Sequence, residues 1–330
     1  MPLPRSVFAA LVALLLLSAG LAPPVAAQEP ARTVRDSVTL PADGALSVDN
    51  HEGSITVTTW DRDVVRYEAQ IMPTDEDPDA EKVSIRAEST GNQLRLATVH
   101  EEGDDESVVF GFTEDGFQWG GVDIPAVHYT ITLPRSAALT IDDHESTVNI
   151  TGHAGRLRID SHDGPITVEN QQAPLTVDTH DSPITIIDQT GDVRLDTHDG
   201  DVEARGVTGR LALDTHDGDL TARALSGGLR FESHDGSASV SIAALTAAAL
   251  ADTHDGDVTL TLPADDGFFL TTDLSDDSDV LSDFNLRALR QGDADDDEVN
   301  YRGDVNGGGP EVRIESNDGD VTLRSGPAAQ

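Results

Sequence analysis

The sequence predicts an all-β protein: a single-stranded β-solenoid, or β-helix, with rungs of about eighteen residues. Three observations predict it. His144, His162, His180, His198, His216 and His234 stand eighteen residues apart, and His254 follows after twenty. Each sits in one short motif, as in Asp160-Ser-His-Asp-Gly164, Asp196-Thr-His-Asp-Gly200 and Asp252-Thr-His-Asp-Gly256. Between the motifs apolar residues alternate with polar ones, so that Val202 and Ala204 share one side of the chain and Leu211 and Leu213 do likewise. A period this short is one structural rung per repeat. A single rung has too few apolar side chains for a core of its own, and stacking makes the core continuous.

The first element is a signal peptide, residues 1–27. Arg5 supplies the positive start, Val7 to Ala22 is almost wholly apolar, and Val25-Ala-Ala27 offers the small residues of a cleavage site. The run is short for a membrane span and is broken by Pro23-Pro24. An exported chain follows, periplasmic, cell-surface or extracellular, with no transmembrane segment after cleavage. The 330 residues contain no cysteine, which excludes disulfides and a lipoprotein anchor. The formal net charge is −40, and cleavage removes one base and no acid. So acidic a surface repels nucleic acid and anionic lipid, and it matches the solvated-carboxylate surface of a halophilic protein.

Residues 28–135 form an N-terminal β region with an acidic and aromatic insertion. It contains Ser37-Val-Thr-Leu40, an early copy of the motif at Asp49-Asn-His-Glu-Gly53, and alternating stretches at Ile55-Thr-Val57, Val83-Ser-Ile85 and Leu94-Arg-Leu96. The insertion carries Phe110, Phe112, Phe117 and Trp119, expected to cover the end of a core rather than to stack on sugars. Val127 to Leu133 returns to strand alternation. Residues 136–262 are the regular solenoid. Gly200 and Gly218 follow His-Asp where the chain must turn, and a left-handed corner is expected there. Thr179, Thr197, Thr215 and Thr253 are in phase with the inward leucines and are expected to point into the corner. Residues 263–330 form an acidic loop and a capping rung, Glu315-Ser-Asn-Asp-Gly-Asp-Val321, with Asn317 in the histidine's place.

Three further turns carry a resemblance: Gly256-Asp-Val-Thr-Leu-Thr-Leu-Pro263, Gly307-Gly-Gly-Pro310 and Ser316-Asn-Asp-Gly-Asp-Val321. In them the chain resembles a bacterial "putative adhesin" family of unknown function, related to autotransporter adhesin head domains. The resemblance covers most of residues 35–325. It implies an exported β-solenoid and brings no catalytic residues. The chain departs from that family at its His-Asp columns, where small polar residues are usual.

The chemistry lies in those columns. Stacked rungs are about 4.8 Å apart, so each column is a ladder of like side chains. Two carboxylates at that spacing repel by about 0.9 kcal/mol in water. Protonated imidazole, bound cations or salt can each relieve that repulsion. Imidazole beside carboxylate also suits borderline metals such as zinc, copper and nickel. The candidate metal ladder is His144, His162, His180, His198, His216, His234 and His254 with Asp163, Asp181, Asp199, Asp217, Asp235 and Asp255. The simpler reading is a decorated Asp-Gly turn copied by repeat duplication. Zinc-finger, EF-hand and nonapeptide calcium-roll spacings are absent, as are a phosphate loop and a serine-nucleophile motif. No catalytic or cofactor-binding residue is expected and no cofactor, a divalent cation being the one open addition. A β-helix glycosidase would need a few unrepeated acids in a groove, whereas these acids recur in every rung. The expected function is a non-enzymatic, adhesin-like binding or scaffold protein of the cell envelope, with an unidentified surface protein or polysaccharide as partner. The alternative is a secreted cation- or metal-binding protein using the ladder.

Overall fold

The structure, a computed structural model, describes residues 29–74, 77–100, 112–113, 116–117, 124–275, 278–286, 290–291 and 300–327. The expected signal peptide lies outside these, as do Phe110 and Trp119. Phe112 and Phe117 lie in a small β-hairpin whose side chains are not described.

The chain begins with β1 (Arg32–Thr39), β2 (Ala45–Asp49), β3 (Glu52–Trp60), β4 (Val64–Ile71), β5 (Val83–Thr90) and β6 (Gln93–His100). The hairpin β7 (Phe112–Thr113) and β8 (Gly116–Phe117) precedes β9 (Val127–Pro134). The repeats supply β10 (Ala138–Asp142), β11 (Glu145–Thr151), β12 (Leu157–Ser161), β13 (Ile166–Glu169), β14 (Leu175–Thr179) and β15 (Ile184–Ile187). They continue as β16 (Val193–Asp196), β17 (Val202–Arg205), β18 (Leu211–Asp214), β19 (Leu220–Ser233), β20 (Ala238–Thr253) and β21 (Val258–Pro263). The last strands are β22 (Phe268–Leu274), β23 (Val280–Ser282), β24 (Arg290–Gln291), β25 (Asn300–Val305), β26 (Glu311–Ser316) and β27 (Val321–Gly326). Among the described residues there is no helix, and so none long and apolar enough to cross a membrane.

Alternate strands stack in parallel and in register. Leu157 pairs with Leu175, Leu175 with Val193, and Val193 with Leu211. The second wall repeats this, from Ile166 to Ile184 to Val202 to Leu220. Equal rung length makes the pairing residue-for-residue, so inward positions meet only inward positions. Val202, Ala204, Leu211, Leu213, Leu220 and Leu229 are all buried, as the alternation predicts. One hydrophobic core runs from Leu40 to Leu323, so strands of residues 28–135, 136–262 and 263–330 all share it.

Both ends of the stack depart from simple order. At the N-terminal end β2 pairs with β10 and β3 with β11, although a long segment separates them in sequence. From that segment β6 and β9 add in parallel to β2 and β3, and antiparallel strands lie outside them, β5 on β6 along one wall and β4 on β9, with the N-terminal β1 on β4, along the other. At the C-terminal end the motif at 315–321 is not the outermost rung, contrary to the capping expectation. β26 and β27 lie between the rung of β20 and β21 and an outer rung of β22 and β23. β25 then runs antiparallel along β22. Antiparallel strands at each end cover parallel edges that would otherwise offer unpaired amides and carbonyls.

The left-handed turn expected at the histidine corner is present at Gly53 and Gly164, with φ of +128° and +99°, but not at the two glycines where the sequence predicts it. Gly200 and Gly218 have no positive φ. Glycine is needed there because an ideal Cβ on Gly200 would stand 2.1 Å from the Ser182 carbonyl oxygen, and one on Gly218 2.4 Å from that of Gly200. Positive φ recurs in five successive rungs at the opposite corner, at Gly152, Asn170, Asp188, Gly206 and Ala224. Glycine, asparagine and aspartate tolerate that region best, and four of the five positions use them.

Candidate functional site: a histidine and carboxylate ladder

The corner that carries the histidines is built by its threonines. Thr197 is buried; its hydroxyl donates to the His180 carbonyl at 3.2 Å and accepts from the Gly200 amide at 3.2 Å. Thr215 does the same with His198 and Gly218 at 3.1 and 3.0 Å. Thr179 meets the hydroxyl of Ser182, the residue in glycine's place in that rung, at 2.6 Å. The threonines therefore point inward, as their phase predicts. Each histidine carbonyl also accepts the two amides of the next rung: His198 and Asp199 donate to His180, and His216 and Asp217 to His198, at 2.9–3.1 Å. With its backbone held on both sides and its neighbour turned inward, each histidine side chain faces out.

The imidazoles form a continuous column. From His144 through His162, His180, His198, His216 and His234 to His254, successive ring centroids are 4.8–5.0 Å apart and planes lie within 5° of parallel. Sequence reasoning left out an eighth ring. His51 stacks on His144 at 4.8 Å and 11°. Its signal was the early motif copy, but adjacency to His144 depends on the looping-out of residues 61–137 between β3 and β10. His100 meets His51 edge-on at 6.3 Å. Among the described residues His51 Nδ1 and His100 Nε2 are buried without hydrogen-bond partners.

Six of the rings are oriented by the acid that follows them. Nδ1 of His162, His180, His198, His216 and His234 lies 3.2, 2.6, 2.5, 2.6 and 2.5 Å from the carboxylate of Asp163, Asp181, Asp199, Asp217 and Asp235. His254 pairs with Asp255 in the same way. An ionised carboxylate only accepts, so Nδ1 is the donor, and in a neutral ring Nε2 then carries the free lone pair. Hydrogen bonding from Asp255 holds the His254 imidazole above its ordinary pKa, and the charges of Asp255, Asp318 and Asp235 add to this. The side chains are about half-exposed.

A second carboxylate column runs two residues before the histidines. Asp49, Asp142, Asp160, Asp178, Asp196, Asp214, Glu232, Asp252, Glu315 and Asp273 stand directly beside one another on successive strands. Partial burial, then the neighbouring acids, raise the pKa values of Asp142, Asp196 and Asp252. Arginine offsets the column at alternate rungs: Arg158 lies 3.1 Å from Asp160, Arg194 4.0 Å from Asp196, and Arg230 and Arg313 contact Glu232 and Glu315. The alternation was present in the sequence, but its pairing follows only from the register.

The structure thus brings the whole predicted ladder onto one face. Ligand atoms of His180, Asp181 and His198 lie within 4.8 Å of one another, as do those of His198, Asp199 and His216. Elsewhere, a shallow cleft of about 510 Å³ between β1, β3 and β4 gathers Arg35, Trp60, Arg62 and Arg66.

A family model described as Toastrack DUF4097 matches residues 44–324. No curated protein matches the chain. Two solved structures are similar to it. One is a "putative cell adhesion protein" from Clostridium sporogenes ATCC 15579, 10% identical, with 89% of this chain and 100% of that one covered and a TM-score of 0.23. The other is a "putative adhesin" from Bacteroides fragilis NCTC 9343, 12% identical, with 90% and 99% covered and a TM-score of 0.30.

Proposed function

The chain belongs to the Toastrack DUF4097 family, and within it we propose an exported, non-enzymatic, adhesin-like binding scaffold of the cell envelope. The observation that carries this reading is the face itself. Eight imidazoles stand in register, with a carboxylate following nearly every ring and a second acidic column beside them. A repeating face suits a repeating or extended partner, because many weak contacts engaged together gain affinity that none has alone. Hydrolytic chemistry would ask for two carboxyl groups in different environments, one kept protonated. Here each His-Asp pair repeats the geometry of the last. The charge favours a neutral or cationic protein or polysaccharide over nucleic acid and anionic lipid. Export rests on the apolar run Val7–Ala22 and the Val25-Ala-Ala27 site.

The test is retention of the mature chain, residues 28–330, on isolated envelopes of the source cells. Saturable retention is expected, and replacing His162, His180, His198 and His216 by serine should weaken it about tenfold or more. Absence of saturable retention, or equal retention of the variant, overturns the proposal.

A further inference from the structure

We propose that the histidine column is a linear array of binding sites for borderline divalent metals, zinc, copper or nickel, each ion shared by the Nε2 atoms of two successive rungs. This rests on the preceding reading only in taking the ladder face as the working surface. The donor set selects the metal class. Imidazole suits zinc, copper and nickel, whereas a purely carboxylate face would suit calcium or magnesium. The rings are already set for ligation. In six rungs a carboxylate occupies Nδ1, which is the arrangement that fixes the tautomer of metal-binding histidines and directs Nε2 outward as a stronger ligand.

Spacing determines the stoichiometry. Neighbouring rings are 4.8–5.0 Å apart and parallel. A metal–nitrogen bond is about 2.0–2.1 Å, so two nitrogens on one ion are at most about 4.2 Å apart. Two adjacent rings must therefore tilt toward each other by somewhat under an ångström or more, which half-exposed side chains on a flat face can do. Rings two rungs apart are too distant to share an ion. A ring that tilts toward one neighbour turns away from the other, so ions occupy alternate gaps. The eight rings then hold at most four ions. Asp181 and Asp199 stay on Nδ1 as the groups that orient the central rings, and water completes the shell.

The experiment titrates zinc alone into the untagged mature chain after removal of metal by a chelator, with binding followed by equilibrium dialysis. Up to four equivalents are expected for the native chain. Two variants, each lacking four histidines, separate pairing from simple histidine content. In the alternate variant His144, His180, His216 and His254 become serine, and no two remaining rings are neighbours. In the block variant His51, His144, His162 and His180 become serine, and His198, His216, His234 and His254 remain contiguous. The block variant should keep two equivalents at native affinity, and the alternate variant should bind about 100-fold more weakly. Circular dichroism and melting curves establish that both are folded, and Asp199→Asn, which leaves every ring in place, is a milder second variant expected to weaken the central site. Equal binding by the block and alternate variants, or no zinc bound by the native chain, overturns the proposal. Envelope retention uses no added metal, so the two readings fail separately.

Discussion

Gly200 illustrates why a residue can be legible while its reason is not. Its place after His-Asp marks a turn, yet its φ is not left-handed, and what excludes a side chain is the carbonyl of Ser182 in the preceding rung. Gly200→Val should therefore destabilise by about 2 kcal/mol through overpacking against backbone, with serine costing less because Ser182 already fills that slot in its own rung. Urea denaturation of the two variants checks this; equal stability of valine and glycine would remove the close-approach argument. His153, outside the ladder, sets a pH dependence. It is fully buried, with Nδ1 3.0 Å from Gln171 Oε1 and Nε2 2.8 Å from the Ala137 carbonyl oxygen. Burial lowers its pKa, and those two hydrogen bonds oppose the shift only in part. A depressed folded value means that its contribution is full above the unfolded value near 6.5 and is lost as pH falls through the folded one. Glu68, held at about 2 by Arg35, loses its contribution only in much stronger acid. His153→Gln, which matches Gln171 and Gln189 in the same column, should flatten the loss of stability between about pH 7 and 5. Urea melts across that range are the measurement, and an unchanged slope would show that His153 does not set it.

At the level of the strand, parallel pairing in register turns a sequence column into a physical one. The inward columns become the core and the outward ones become rows of like charge. Arginines stand at alternate rungs of the acidic row from Asp49 to Asp273, and Arg158 also reaches Asp178 of the next rung at 3.7 Å. Asp196 is pressed by Asp178 and Asp214 on both sides, while Arg194 reaches it only at 4.0 Å. Asp196→Asn should raise stability by up to about 1 kcal/mol in low salt, and sodium chloride should close the gap by screening the neighbours. Melting temperatures of the two chains at low and molar salt decide it. A variant no more stable than the native chain in low salt would mean that the row is already neutralised by solvent. The aromatic insertion was legible only as composition. Its Phe112 and Phe117 strands form a hairpin separate from the main sheet.

Over the whole molecule, the period of the histidines was enough to yield the solenoid, its inward residues and seven rings of the ladder. His51 was visible as a motif but not as the eighth ring. The chain between β3 and β10 had to be folded back along the end of the stack before His51 and His144 became neighbours. The rung at 315–321 likewise comes last in sequence yet lies inside the stack, because order along the chain does not set order along the axis. The sequence by itself determined the rung length, the faces and the make-up of every column, because equal spacing and in-register pairing carry periodicity directly into three dimensions. The tertiary structure alone decided which rungs meet at the two ends, which corner residues are left-handed, and which acids arginine reaches. Those depend on contacts between distant segments, and a strand's local pattern says which side faces in without saying which strand will lie beside it.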